Sequence, residues 1–290
     1  SRLIKRLEKG QIEKVEKQTL KILNEEPDNI DALYAYSFLL SNNNYSKYNL
    51  EDAYKNTQKL RLVYKNLKEE KEIKKLKENE IDEFSIEVVI KNIIDSAYSE
   101  AKLKNEIVVY THFLEFYTEA DQFLRTESLK AIHSIAYEEA SRLNTIEDYQ
   151  HFINKYPSAK QVPQAKITRN QLGFDKAKLE NTVASYQNFI QNFPDAAQVK
   201  KAVELRDEKG FEKAKLENTV SSYQNFIENF PDATQFKKAL ELRDNKAFEE
   251  ATSLNTIEAF NDFLYKYKAP NQLGLLFIQM EGLVKRNKSL

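Results

Sequence analysis

The chain has no cysteine among its 290 residues. That excludes disulfides, thiolate metal sites and cysteine nucleophiles together, and leaves the redox compartment open. Glycine and proline are scarce, at 5 and 6 residues, too few for a turn-rich β-protein and in keeping with long helices. Neither sign of charge dominates, since 44 basic residues stand against 45 acidic ones. Nucleic acid and anionic membrane surfaces are therefore not the expected partners. No apolar run reaches the roughly 18 residues of a membrane span, and the opening SRLIKRLEKG lacks the apolar core of a secretion signal. The chain starts at Ser1 without an initiator methionine, which suits removal of an upstream signal or lipid-attachment sequence.

What the sequence does have is an internal period. Residues 174–210 recur as residues 211–247 with 29 of 37 positions identical. Steps of 37 residues connect Asn144-Thr145, Asn181-Thr182, Asn218-Thr219 and Asn255-Thr256. A more divergent unit opens 39 residues before Asn144 at Asn105, where Tyr110, Phe113, Leu114 and Tyr117 stand for Tyr149, Phe152, Ile153 and Tyr156. A fixed period of this length is the signature of a solenoid.

Each unit reads as two helices. Asn144 with Glu147, and Asn255 with Glu258, have the spacing of a capping box and predict the start of a first helix. Ile146, Tyr149, Phe152, Ile153 and Tyr156 then recur every three or four residues and form one buried stripe. Pro157, Pro194 and Pro231 follow the last aromatic residue, where proline stops one helix and can open the next at its first position. The second helix is predicted from near Asp195 to near Lys215 in the best-defined unit, with Val199, Ala202, Val203, Leu205, Phe211 and Ala214 inward.

A hairpin covers only one of its two apolar stripes, so the columns Tyr149/Tyr186/Tyr223/Phe260 and Phe152/Phe189/Phe226/Phe263 require a neighbour. The alanine columns Ala165/Ala202/Ala239 and Ala177/Ala214/Ala251 let helices approach closely. In the last unit Lys268 replaces the proline, Lys285 the inward phenylalanine and Lys288 the alanine, the polar outer face of a cap.

Chemistry is hard to find in this pattern. His112, His133 and His151 have no second histidine or acid at metal-ligand spacing on a helix face. The acidic residues are scattered over helix surfaces, the glycines build no phosphate loop, and no GxSxG elbow is present. No catalytic, cofactor-binding or metal-ligating residue is expected. The aromatics, 16 tyrosines and 17 phenylalanines, fall mainly at buried repeat positions and not on a base-stacking platform. Exposed polar columns remain on the first helices: Gln150, Gln187, Gln224 and Asn261 in one, His151, Asn188, Asn225 and Asp262 in the other. Duplication of the units by itself would also repeat them.

The first residues add a resemblance. The segment EKGQIEKVEKQTLKILNEEPDNIDALYAYSFLL is similar to tetratricopeptide repeat sequence, with Gly10 at the inter-helix turn, Val15, Thr19 and Ile22 at packing positions, and Pro27 closing the unit. A second unit begins at Ile30 and uses Ala53, Thr57 and Leu60. Val15 and Thr19 depart from the family's usual small and aromatic residues. The 37-residue units resemble helical hairpins of bacterial envelope lipoproteins through Tyr156-Pro157, Phe193-Pro194 and Phe230-Pro231, and similarity extends to helical N-terminal regions of Bacteroidetes multidomain proteins. The resemblance implies a concave groove lined by first helices, which makes the two polar columns the candidate partner-binding surface.

The expected fold is all-α, an α-α superhelix: a tetratricopeptide-like solenoid of antiparallel helical hairpins. Residues 1–64 form tetratricopeptide-like repeats, 65–97 a charged helical connection, and 98–290 an array of about five 37–39-residue hairpins with a C-terminal cap. The expected role is a non-enzymatic scaffold that binds another protein or peptide, without cofactor, in a bacterial envelope assembly. Its expected location is periplasmic or outer-membrane-associated, with the cytoplasm as alternative. The competing expectation is a spacer or stalk that positions a domain outside this chain.

Overall fold

The computed structural model describes residues 2–267 and 273–288; Lys268 lies outside them, as does the side chain of Lys288. Every regular element among the described residues is a helix, and no strand occurs. Successive helices pack on one another, so the fold is the expected all-α α-α superhelix of helical hairpins. The chain forms two compact units, Ser1–Arg142 with Ser158–Gln161, and Leu143–Pro157 with Val162–Leu290.

The first unit contains α1 (Arg2–Glu8), α2 (Ile12–Glu25), α3 (Ile30–Leu40), α4 (Leu50–Asn66), α5 (Glu70–Glu78), α6 (Glu83–Lys104) and α7 (Ile107–Phe116). Helix α8 (Gln122–Leu143) runs to its boundary. Gly10 turns the chain between α1 and α2 at φ 70, a left-handed conformation that glycine adopts without steric cost. Val15, Thr19, Ala53, Thr57 and Leu60 are fully buried, and Ile22 is half-buried. The α3–α4 contact carries its own polar seam. Thr57 Oγ1 donates to Ser37 Oγ at 2.8 Å, and Asn56 Nδ2 donates to the Leu33 carbonyl at 2.8 Å.

In the charged stretch 65–83 only Leu76 and Ile81 are buried. At Asp82 a capping box with Ser85 then starts α6, which packs on α4 and α3 through Ile86, Val89, Ile90, Ile93 and Ile94. Arg61 on α4 ties two further carboxylates to this core, Glu87 at 3.3 Å and Glu119 at 2.8 Å.

The second unit alternates short and long helices: α9 (Ile146–Lys155), α10 (Val162–Glu180), α11 (Val183–Asn192), α12 (Val199–Glu217), α13 (Val220–Asn229), α14 (Phe236–Leu254), α15 (Ile257–Tyr267) and α16 (Leu273–Lys288). The aromatic columns point into the stack: Tyr149, Tyr186, Tyr223 and Phe260 are each 3% exposed or less. Ala165, Ala202 and Ala239 are fully buried. Tilted aromatic pairs such as Phe174–Phe189 and Phe211–Phe226, both with centroids 5.3 Å apart, join each long helix to the short helix that follows.

Three local details differ from the sequence pattern. The repeated asparagines end helices; they do not begin them. Asn181, Asn218 and Asn255 sit at φ 50, 49 and 49, and their N–H groups donate to the carbonyls of Ala177, Ala214 and Ala251. Asparagine tolerates this left-handed turn better than other side chains. The N-cap is the next residue: Thr182 and Thr219 accept from the backbone of Ser185 and Ser222, which return the bond in a full capping box. Thr145 and Thr256 cap likewise through Asp148 and Ala259, so Glu147 and Glu258 are not box partners. The asparagine is used a second time through its side-chain oxygen, which accepts from the Tyr186 hydroxyl at 3.1 Å in Asn181 and from the Tyr223 hydroxyl at 3.0 Å in Asn218.

The prolines only stop the short helices. Pro194 follows the C-cap Phe193, and α12 opens at Val199, so proline does not occupy the first helical position. The last helix also differs from a wholly polar cap. Lys285 is exposed there, but so are Leu275, Phe277, Ile278 and Val284.

Replacing Thr219 with alanine is expected to cost about 1 kcal/mol by loss of its cap bond. Asn218→Ala costs about 1–2 kcal/mol through left-handed strain, and Asn218→Gly much less; urea midpoints compare the three. A pH effect is expected in the first unit. Hydrogen bonding to Arg61 holds the Glu119 carboxyl below its ordinary value of 4.5. The unfolded chain therefore binds more protons, so this stabilisation is present above about 4.5 and is lost as pH falls through the folded value. Glu119→Gln flattens that acid limb in thermal melts taken across acid pH.

Candidate functional site

The two predicted polar columns have different fates. Gln150, Gln187 and Gln224 are half-buried, whereas Asn261, His151, Asn188, Asn225 and Asp262 are exposed. Each of the three glutamines meets an arginine from the long helix of its own hairpin. Arg206 Nη1 donates to Gln187 Oε1 at 2.8 Å, Arg243 Nη1 donates to Gln224 Oε1 at 2.8 Å, and Arg169 makes the same bond to Gln150. The amide ends are engaged too, Gln150 with Asn154 and Gln224 with Glu228.

The same arginines face the next hairpin. Their guanidinium groups lie over the last aromatic ring of the following short helix: Arg169 over Phe193 at 5.2 Å, Arg206 over Phe230 at 5.4 Å, Arg243 over Tyr267 at 5.3 Å. Such a contact is worth about 0.5–2 kcal/mol, more as water is excluded. One side chain thus holds three helices. Its remaining donors go to the adjacent residue, with Arg206 Nη2 and Arg243 Nη2 each 2.7 Å from the carboxylates of Asp207 and Asp244. Asp207 is only 5% exposed, a buried acid that is paired. In the first copy Asn170 takes the acid's place and supplies no charge, and burial pulls the Arg169 basicity below the ordinary arginine range.

Under the ring sits a glycine. A Cβ on Gly173 would come within 2.6 Å of Phe193, and one on Gly210 within 2.7 Å of Phe230. Glycine costs a helix interior about 1 kcal/mol relative to alanine, and here the close ring explains it.

Gln187 and Asn225 are brought together with Lys213, Glu217 and Phe230 around an open cleft of 430 Å³. It lies where α11 and α13 pass over α12. Its walls mix amide, charged and apolar groups, a lining for hydrogen bonding and packing with no nucleophile and base in contact.

Sequence reasoning missed a second surface feature. Near the end of each long helix one leucine stands in solvent: Leu179 and Leu216 are 88% exposed, Leu254 68% and Leu143 44%. Leu103 on α6 stands in the same way before its own asparagine. The signal was available as a leucine one or two residues before every unit-opening asparagine. Isolated exposed leucines are ordinary; here Leu179 and Leu216 occupy the same position of adjacent hairpins, while Leu143 and Leu254 stand one residue later in theirs.

Among the described residues no group of three or more His, Cys, Asp or Glu could hold a metal ion. No helix there is long and apolar enough to cross a membrane. His112 instead pairs with Glu51 at 2.8 Å and stacks on Phe116, and burial holds His133 below its ordinary value. No protein-family model matches the chain, and no curated protein resembles it significantly.

Arg206→Met is expected to destabilise the array by on the order of 3 kcal/mol, because it strands the Asp207 carboxylate and uncovers Phe230. Asp207→Asn should cost under about 1 kcal/mol, since Asn170 already serves in the preceding hairpin. Denaturant unfolding of the two variants, followed by circular dichroism, separates these outcomes.

Proposed function

We propose that the chain is a non-enzymatic scaffold that binds another protein or peptide through its helical-repeat surface. The observation that carries this reading is the pair Leu179 and Leu216, each 88% exposed at the same position of adjacent hairpins. The cleft holding Gln187 and Asn225 lies beside it in the chain, since Glu217 lines the cleft and Leu216 precedes it. Exposed Asn188 and Asn225 supply amide donors and acceptors suited to a peptide backbone. Gln150, Gln187 and Gln224 contribute mainly by fixing the hairpin spacing at which such contacts recur.

The ligand is a polypeptide and not a nucleic acid, because acidic and basic residues interleave along the long helices and leave no basic stripe. The tetratricopeptide-like first repeats and the Tyr-Pro and Phe-Pro turns support a place in a bacterial envelope assembly, periplasmic or attached at the outer membrane.

The test is capture by immobilised protein. Wild type retains a defined partner from envelope extracts, while Leu179→Ser with Leu216→Ser, or Asn188→Ala with Asn225→Ala, reduces retention at least about tenfold, the loss of about 1.4 kcal/mol. Helicity stays unchanged in each pair. Equal retention by all three proteins sinks the assignment.

A further inference from the structure

The first unit contains a cavity that the repeat surface does not explain. It has a volume of 310 Å³ and lies where the start of α4 meets the last turns of α6 and one face of α7. Ala97 and Ala101 open the space by their small size, and the walls carry Tyr48, Glu51, Glu100, His112 and Tyr117.

Each carboxylate is held by one oxygen. Tyr48 donates its hydroxyl to Glu100 Oε1 at 2.6 Å, and His112 Nε2 lies 2.8 Å from Glu51 Oε1. Neither Oε2 has a hydrogen-bond partner among the described residues. Tyr117 is the more telling group. It is 4% exposed, and its ring is fixed against Tyr54, Phe113 and Phe116 at 5.2, 5.5 and 5.0 Å. Its hydroxyl nevertheless has no hydrogen-bond partner among the described residues. The hydroxyl is on the cavity wall and open to it, where water or an entering polar group can take its hydrogen bond.

The sign of the ligand follows from the walls. Two carboxylates against Lys104 leave a net negative lining while His112 is neutral. Burial, then the charges of Glu51 and Glu100, push the Tyr117 hydroxyl above its ordinary value, so this hydroxyl stays protonated in a negative field. An anion is repelled there. A cation with an alkyl stem suits such a lining, since its charge is attracted to the carboxylates and its methylenes to the aromatic rings.

We propose that this cavity is a binding site for a primary alkylammonium group, such as a lysine side chain or a free aliphatic amine, held by Glu51, Glu100 and Tyr117. The ammonium donates to the two free carboxylate oxygens and to the Tyr117 hydroxyl, using its three protons. The site is independent of the exposed leucines and of the cleft in the second unit.

The test titrates the full chain with n-butylammonium chloride and, separately, with Nα-acetyl-lysine amide. Tyrosine ring signals are followed by NMR, with Tyr117 assigned from the spectrum of Tyr117→Phe. Saturable shifts of Tyr117 in about the millimolar range are expected, a small-ligand affinity. Glu51→Gln with Glu100→Gln should weaken binding by about tenfold or more, and Tyr117→Phe by about three- to tenfold, with its melting point little changed. Binding of both probes assigns the site to lysine side chains and amines alike, and binding of butylammonium only assigns it to free amines. The proposal is overturned if n-butanol shifts Tyr117 as strongly as butylammonium, if the Tyr117→Phe protein binds as wild type does, or if no shift saturates.

Discussion

The repeat array depends on one contact, a guanidinium group that donates its hydrogen bonds within one hairpin and covers an aromatic ring of the next. Arg206 shows the logic most fully. Gln187 fixes its position on the near side, Asp207 balances its charge, and Phe230 on the far side lies against Gly210. The partners vary from copy to copy, with Asn170 in place of the acid beside Arg169 and Ala247 in place of the glycine beside Arg243, while the arginine, the glutamine and the ring recur. Without the arginine the glutamine is an unremarkable surface amide, and at Gly210 a Cβ would come within 2.7 Å of the ring. The aromatic and alanine columns fill the interior, but apolar packing alone tolerates sliding. The guanidinium supplies direction, and direction sets where one hairpin sits on another.

Much of this was legible in the sequence. The period and the inward columns follow from spacing alone, because a helix buries what recurs every three or four residues. Tyr186 and Phe189 lie where their spacing puts them. The helix ends were less legible by a single residue. Asparagine and threonine both favour helix termini, and sequence does not say which of an adjacent pair closes one helix and which opens the next. The structure gives each its own task, with Asn181 left-handed and Thr182 extended.

The candidate site was less legible than the fold. Arg206 and Asp207 read as ordinary surface charge, since the ring they serve is 24 residues on and belongs to another hairpin. The glutamine column was visible as a repeated polar feature, yet its employment inside the stack was not. The exposed leucines escaped because an apolar residue on a helix is normally assigned inward, and only three-dimensional burial separates Leu216 from Ala214. The cavity beside Tyr117 was out of reach in a different way. It joins Glu51, Glu100 and His112 from three helices, and no local spacing announces that meeting.

The near-identity of the two central hairpins acquires a meaning from the guanidinium contact. Each hairpin carries the donor half of the junction on its long helix and the acceptor half on its short helix, so the two ends of a unit are complementary to each other. A copied unit therefore brings a working joint with it wherever it is inserted. Gain or loss of a whole 37-residue module changes the reach of the array without any redesign of its seams, a form of modular growth in which length is a heritable variable largely separate from stability.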